Sequence, residues 1–425
     1  MKFMIAIAIT AVCQAQVLMP TVNAGSQYKG SLVGVAPNAA LTTVSWYPGT
    51  LNSTGCGTAG GMWLVPGVFR NVTAKTSNTN GASPVSVGVD TGCTVQAHSG
   101  ATAFTAGPAS GGPVIGISAA AGGFTSPATG YVNAWHQDAY WPFAFAGFKN
   151  ALTGVTAATV VDIAAEFADD AGQYHSVVPN GSSTALTAST TQFIGFYGTA
   201  ASTTELINGM PIPVAGTIDG VAFCNSTAPT ATFTVTLRKG TGSGSASSTA
   251  NTFTMPTAIA CGYDQADTVV VAAGDWITLQ TVSGTTTQGN PISSQISFRP
   301  TSGTSTIVGG YIGGTITTTK NFNAPLTKVT SATEASAETV LPVALTCTNL
   351  YIVKATANSG VTTTYTIRDN EADTAITGTE SSGTGAIALY TSAGVSIAAG
   401  HRIDLAYSTA SGTSGTMSGW SMSCQ

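Results

Sequence analysis

Short runs in which apolar residues alternate with Thr, Ser and Gly recur along the chain, separated by clusters containing Gly and Pro. Alternation of this kind sets one face of a strand against a core and leaves the other in water. The runs also recur as a set. Residues 42–50, 191–199 and 305–311 open alike, and each is followed after a polar loop by an apolar-Pro element, at 63–67, 210–214 and 340–343. Strands are predicted next around Val72, Val221 and Leu350, then over 85–90, 233–238 and 364–368. Later, Val271-Ala-Ala-Gly-Asp-Trp-Ile-Thr-Leu279 matches Ile397-Ala-Ala-Gly-His-Arg-Ile-Asp-Leu405, with 128–135 as a weaker counterpart. Gly at a corner ahead of alternating apolar residues predicts a turn feeding a half-buried strand. Closing strands are predicted at 143–145, 296–298 and 420–422.

The expected fold class is therefore all-β, with three tandem β-sandwich domains of jelly-roll or Ig-like type. The expected boundaries are an N-terminal apolar segment (1–27), sandwiches at 28–150, 191–301 and 302–425, and a linker at 151–190. Within that linker, Val160, Ile163 and Phe167 have helical spacing and Thr159 with Asp162 could cap. This predicts one helix over 159–170.

Composition supports the β reading. Of 425 residues only 7% are charged, 43% are hydrophobic and the net charge is −5. A core can be buried, but few Lys and Glu are available for exposed helix faces. No Lys/Arg-rich face exists for nucleic acid. No segment approaches 18 consecutive apolar residues, so no membrane span is expected.

Residues 1–16 read in two ways. One Lys, a short apolar core and small residues before Gln16 resemble a cleaved export signal, whereas the alternation over 4–10 suits a retained strand. Apart from Cys13, the cysteines fall in pairs, Cys56 with Cys93, Cys224 with Cys261 and Cys347 with Cys424. Pairing by domain predicts disulfides and an oxidising destination. Cys56 precedes Pro66 whereas Cys224 follows Pro213, so bridges would sit at different places in each sandwich.

Catalytic signatures are missing: no phosphate loop, no G-x-S-x-G elbow and no H-E-x-x-H. No cofactor, metal or catalytic residue is expected. His98, His136, His175 and His401 share no ligand spacing. Asp162, Glu166, Asp169 and Asp170 read as one solvated helix face, and Asp369, Glu371 and Asp373 as a solvated loop with weak cation affinity at most. No calcium-loop pattern is found. The candidate contact loop is Trp135, His136, Tyr140 and Trp141, where aromatic and polar groups concentrate as in glycan or protein contacts.

Residues 233–240 (FTVTLRKG) and 271–279 (VAAGDWITL) resemble a β-sandwich repeat of tailed-phage virion proteins, over about residues 190–425. That family's strand ends in Arg-x-Asn-Gly and its turn reads Ala-Gly-Asp. Here Lys239-Gly240 lacks the Asn, and His401 replaces the Asp in the third repeat. The resemblance implies a structural or attachment role in a tail fibre, head fibre or capsid decoration protein on the virion surface. Implied partners are further copies of the chain, with a trimer the common form, other virion proteins such as the major capsid or tail protein, and a host-surface glycan. The alternative is an exported bacterial surface protein: an adhesin, surface-layer or carbohydrate-binding protein. A glycan depolymerase would need a carboxylate pair in a groove, which the sequence does not offer.

Overall fold

The computed structural model describes residues 185–425 apart from 199, 226–227, 258–260, 287–290, 359 and 392, and, ahead of them, the strands named here with a few flanking positions. The chain begins with β1 (Ser31–Val35), β2 (Ala39–Ala40), β3 (Val44–Tyr47), β4 (Thr50–Asn52), β5 (Gly61–Met62), β6 (Gly67–Thr76), β7 (Val85–Asp90), β8 (Val114–Ile117), β9 (Phe145–Ala151) and β10 (Thr159–Asp169). It continues with β11 (Ser176–Asn180), β12 (Thr191–Ile194), β13 (Met210–Pro211), β14 (Gly216–Asn225), β15 (Phe233–Thr241), β16 (Ser247–Met255), β17 (Cys261–Asp264), β18 (Val269–Val271), β19 (Asp275–Val282) and β20 (Pro291–Pro300). The last stretch holds β21 (Thr306–Gly314), β22 (Asn321–Asn323), β23 (Thr330–Ser331), β24 (Thr339–Val340), β25 (Leu345–Lys354), β26 (Thr363–Asp369), β27 (Ala372–Glu380), β28 (Gly385–Tyr390), β29 (Val395–Ile397), β30 (Arg402–Thr409) and β31 (Met417–Cys424).

The protein is all-β. Its described strands form antiparallel sheets, and the described residues contain no α-helix, only single 3₁₀ turns at Glu205–Asn208 and Glu334–Ser336. The sheets recur in matched pairs. In the middle stretch the orders are β11-β20-β14-β17, with β18 also on β14, and β12-β19-β15-β16, with β13 also on β19. The last stretch repeats both: β21-β31-β25-β28 with β29 on β25, and β23-β22-β30-β26-β27 with β24 on β30. In the first stretch β10 lies between β1 and β6, and the companion sheet runs β4-β3-β9-β7-β8 with β5 on β9.

Alternation builds the inner faces. Phe233, Val235 and Leu237 of β15 point into the core, as do Tyr365 and Ile367 of β26. The outer faces carry hydroxyl pairs: Thr252 Oγ1 donates to Thr236 Oγ1 at 3.1 Å, and Thr366 and Thr377 bond at 2.8 Å in the corresponding place. Cross-strand Thr pairs stabilise a sheet without charge, which suits the chain's composition. The turns before β19 and β30 close through Asp275 N to Ala272 O (3.1 Å) and His401 N to Ala398 O (3.2 Å). Gly274 and Gly400 take φ of +89° and +81° there, which a side chain would resist.

The structure corrects several expectations. Residues 159–169 form β10, not a helix. Ala164, Ala165, Glu166 and Phe167 are buried in succession because this strand has neighbours on both edges and both faces. A central strand needs no alternation, so chance helical spacing misled. Glu166 is 1% exposed and lies on no solvated helix face. The strand at 145–151 pairs with β7 and β3, as β19 and β30 pair with their neighbours, so β10 is the counterpart of the closing strands β20 and β31. The segment 305–311 is not the counterpart of 191–199: β21 bonds to closing strand β31 as β11 does to β20, whereas β12 corresponds to β22. Similar Thr, Gly and aromatic content cannot distinguish two edge strands that differ only in partner.

Candidate functional site

Charged side chains are few, and among the described residues one group of them lies at the end of β15 and another at the same end of β26. In the middle stretch, Ser202 Oγ accepts from Thr204 N at 3.0 Å and sets the turn that presents Glu205. Arg238 on β15 grips Glu205 through Nε–Oε1 at 2.5 Å and Nη2–Oε2 at 3.1 Å, and stands 5.7 Å from the centre of the Phe193 ring. Thr278 Oγ1 on β19 donates to Glu205 Oε1 at 3.1 Å. A bidentate pair beside an aromatic face combines the strong Arg–carboxylate geometry with a cation–π contact.

The last stretch rebuilds this group. Ser331 Oγ accepts from Thr333 N at 3.0 Å, Arg368 holds Glu334 at 2.5 and 3.1 Å, and its Cζ lies 5.9 Å from the Phe322 ring centre. Asp404 stands where the middle stretch has Thr278. Glu338 joins them, with Oε2 3.3 Å from Arg402 Nη1. The carboxylate oxygens of Glu334, Glu338 and Asp404 lie within 4.8 Å of one another. Asp404 is fully buried, and burial first, then the neighbouring charges of Glu334 and Glu338, push its carboxyl up to about 9. At neutral pH it is a neutral acid that can donate to Glu334, as the Thr278 hydroxyl does to Glu205. The same three carboxylates are the described group able to take a metal ion, which would compete with Arg368 and Arg402 for their oxygens.

The acidic hairpin at 369–373 is exposed, as expected for a solvated loop, and its carboxylates also have basic partners. Asp369 Oδ1 meets His401 Nδ1 at 2.7 Å, Glu371 Oε1 meets Arg402 Nη1 at 2.9 Å, and Asp373 bonds Arg368 with Lys320 at 3.8 Å. A buried ion pair joins the ends of β25 and β27, from the two sheets: Lys354 Nζ donates to Glu380 Oε2 at 2.7 Å, and Asn358 Nδ2 donates to the same oxygen at 2.7 Å. Desolvation lowers the Lys354 pKa, opposed by Glu380.

Of the residues expected from sequence, Cys224 and Cys261 are bonded across β14 and β17, and Cys347 and Cys424 across β25 and β31. The bridges join different strand pairs, because β17 corresponds to β28 whereas β31 corresponds to β20. Trp135, His136, Tyr140, Trp141, Cys56, Cys93, His98, His175 and the 1–27 segment lie outside the described residues. The Arg–Glu–aromatic groups were missed, although a signal was present. Ser-x-Thr-Glu stands ahead of the apolar-Pro element at 202–205 and again at 331–334. Comparison with protein-family models and with curated proteins finds no match for this chain.

Proposed function

We propose that the protein is a non-enzymatic structural and attachment protein on the surface of a tailed-phage virion, built as three β-sandwich units in series. We take the units as residues 31–169, 176–300 and 306–424, a division that the sheet orders support. The observation carrying this reading is the recurrence of the same sheet pair with the same Arg–Glu–aromatic group, Arg238–Glu205–Phe193 and Arg368–Glu334–Phe322. Scarce charges are used to fasten the second and third units internally, and Thr, Ser and Gly are left for the outside. Such surfaces suit repeated protein–protein contact. Its partners are other virion proteins, such as the major capsid or tail protein, and a host-surface glycan met by the loop with Trp135, His136, Tyr140 and Trp141. The resemblance of 233–240 and 271–279 to virion repeats supports the assignment. Mass spectrometry of purified particles tests it: the chain should be present in many copies, and its absence from particles would overturn the reading.

A second reading, an exported bacterial surface protein, is favoured by the Cys224–Cys261 and Cys347–Cys424 bonds, since disulfides persist in oxidising compartments. Intact mass under non-reducing conditions separates the two. A native chain starting at Met1 or Lys2 supports particle assembly, and one starting at Gln16 supports export.

A further inference from the structure

The three apolar-Pro elements do more than open each unit. Leu64, Pro211 and Val340 each stand two places before a proline, at Pro66, Pro213 and Pro342. The strands at these elements pair within their own units, β5 on β9, β13 on β19 and β24 on β30. Each element is also laid across a sheet of another unit: β5 against β14 and β20, β13 against β25 and β31, and β24 against β6 and β10. The contact therefore runs from the first unit to the second, the second to the third, and the third back to the first.

The same carbonyl is used every time. Leu64 O accepts from Gln265 Nε2 at 2.7 Å, Pro211 O from Ser421 Oγ at 2.6 Å, and Val340 O from Thr73 Oγ1 at 2.7 Å. Gln295 Oε1 adds a bond from Leu64 N at 2.9 Å, and Gly419 N one to Gly209 O at 3.2 Å. One head-to-tail contact, repeated three times and returning to its start, is a closed ring. A second observation places the axis. The edge strands β1, β11 and β21 hold equivalent places in their sheets, and each lies against the other two. Three equivalent strands can all meet only about a threefold axis, where their open edges are also covered.

We propose that this chain is a trimer of sandwich units closed within one polypeptide. The surface that a homotrimer would use is already filled by the next unit of the same chain, so the protein meets its partners as a single copy presenting three equivalent faces. The homo-oligomer expected from the sequence is thereby placed inside the chain. The inference rests on the three-unit reading above.

The test uses the full chain. Light scattering of the wild type should give the single-chain mass of 42.4 kDa at every concentration, and a threefold mass would overturn the proposal. A variant with Thr73→Cys and Val340→Cys, and another with Leu64→Cys and Gln265→Cys, are each made as ¹⁴N and ¹⁵N protein, mixed, refolded and joined with a short flexible bismaleimide, since these pairs meet through a backbone carbonyl and not through adjacent Cβ atoms. Peptides bridging the new cysteines should carry one isotope only. Mixed-isotope peptides, or no 73–340 bridge in a folded variant, would overturn ring closure. Loss of the 73–340 bridge while the 64–265 bridge forms would refute the ring yet leave three units in series, and the particle assignment is decided separately by particle mass spectrometry.

Discussion

Lys239 Nζ lies 3.7 Å from Asp275 Oδ2, and one unit later the same two positions carry Asp369 and His401, 2.7 Å apart, with acid and base exchanged. A carboxylate paired with a nitrogen group is kept across this strand pair while the two exchange places. Lys239→Asp alone sets two carboxylates together and should lower stability by about 0.5–1 kcal/mol, the scale of a partly exposed pair. Adding Asp275→His should recover part of that loss, more at pH 5.5 than at pH 8, because the histidine must be protonated. A double-mutant cycle from urea unfolding reads the coupling, and zero coupling at pH 5.5 would refute the exchange.

The buried acid Asp404 gives stability a pH dependence of definite sign. Folded, it keeps its proton up to about 9, whereas a solvent-exposed aspartate releases it near 3.8. Between these values the folded state binds the extra proton, so this contribution is whole below about pH 4, declines as pH rises and is gone above about 9. The slope is limited to ~1.4 kcal/mol per pH unit. Asp404→Asn keeps a donor toward Glu334 and should flatten the dependence. Urea midpoints between pH 6 and 8 decide it: parallel curves for wild type and variant would sink the assignment.

Lys354 and Glu380 are both buried, and corresponding positions in the second unit hold Asn225 and Met255. Removing one charge should be much worse than removing both. Lys354→Met leaves Glu380 uncompensated and should cost roughly 3–5 kcal/mol, whereas Lys354→Met with Glu380→Met should recover most of it. Thermal unfolding of the three variants orders them.

Gly240 is required by its neighbour. A Cβ there would lie 2.1 Å from Trp276 Cε2, so Gly240→Ala must displace a fully buried indole and should cost about 1–3 kcal/mol. In a Trp276→Leu background the same change should be nearly neutral. Equal cost in both backgrounds would show that the indole is not the obstacle.

The bridges close loops of 37 and 77 residues. Chain-entropy arguments assign each about 4 kcal/mol. Reduction should therefore lower the midpoint of chemical unfolding substantially, and Cys347→Ser/Cys424→Ser should reproduce the larger share. Calorimetry with and without reductant checks it.

The strands of the second and third units were largely legible. β15, β19, β26 and β30 alternate cleanly because each buries one face, and a half-buried strand writes its environment into its sequence. The strand β10 was not legible, since a strand enclosed on both faces loses that signature and its partners come from Ser31–Val35 and Gly67–Thr76, far away in the chain. The grouping of Cys224 with Cys261 and of Cys347 with Cys424 was suggested by their falling within one repeat, whereas the bonds themselves came from the structure. The Arg368–Glu334–Asp404 group was not, because its members lie on β26, a 3₁₀ turn and β30, and only sheet pairing brings them together.

Composition and repetition by themselves determined that this is a β protein with scarce charge and repeated strands. Those properties depend on local alternation and on which residue types are present. The partner of each edge strand, the raised pKa of Asp404 and the joints at Leu64, Pro211 and Val340 were decided only by the tertiary structure. Each depends on contact between groups remote in sequence, where distance and burial set the energy and no local pattern records them.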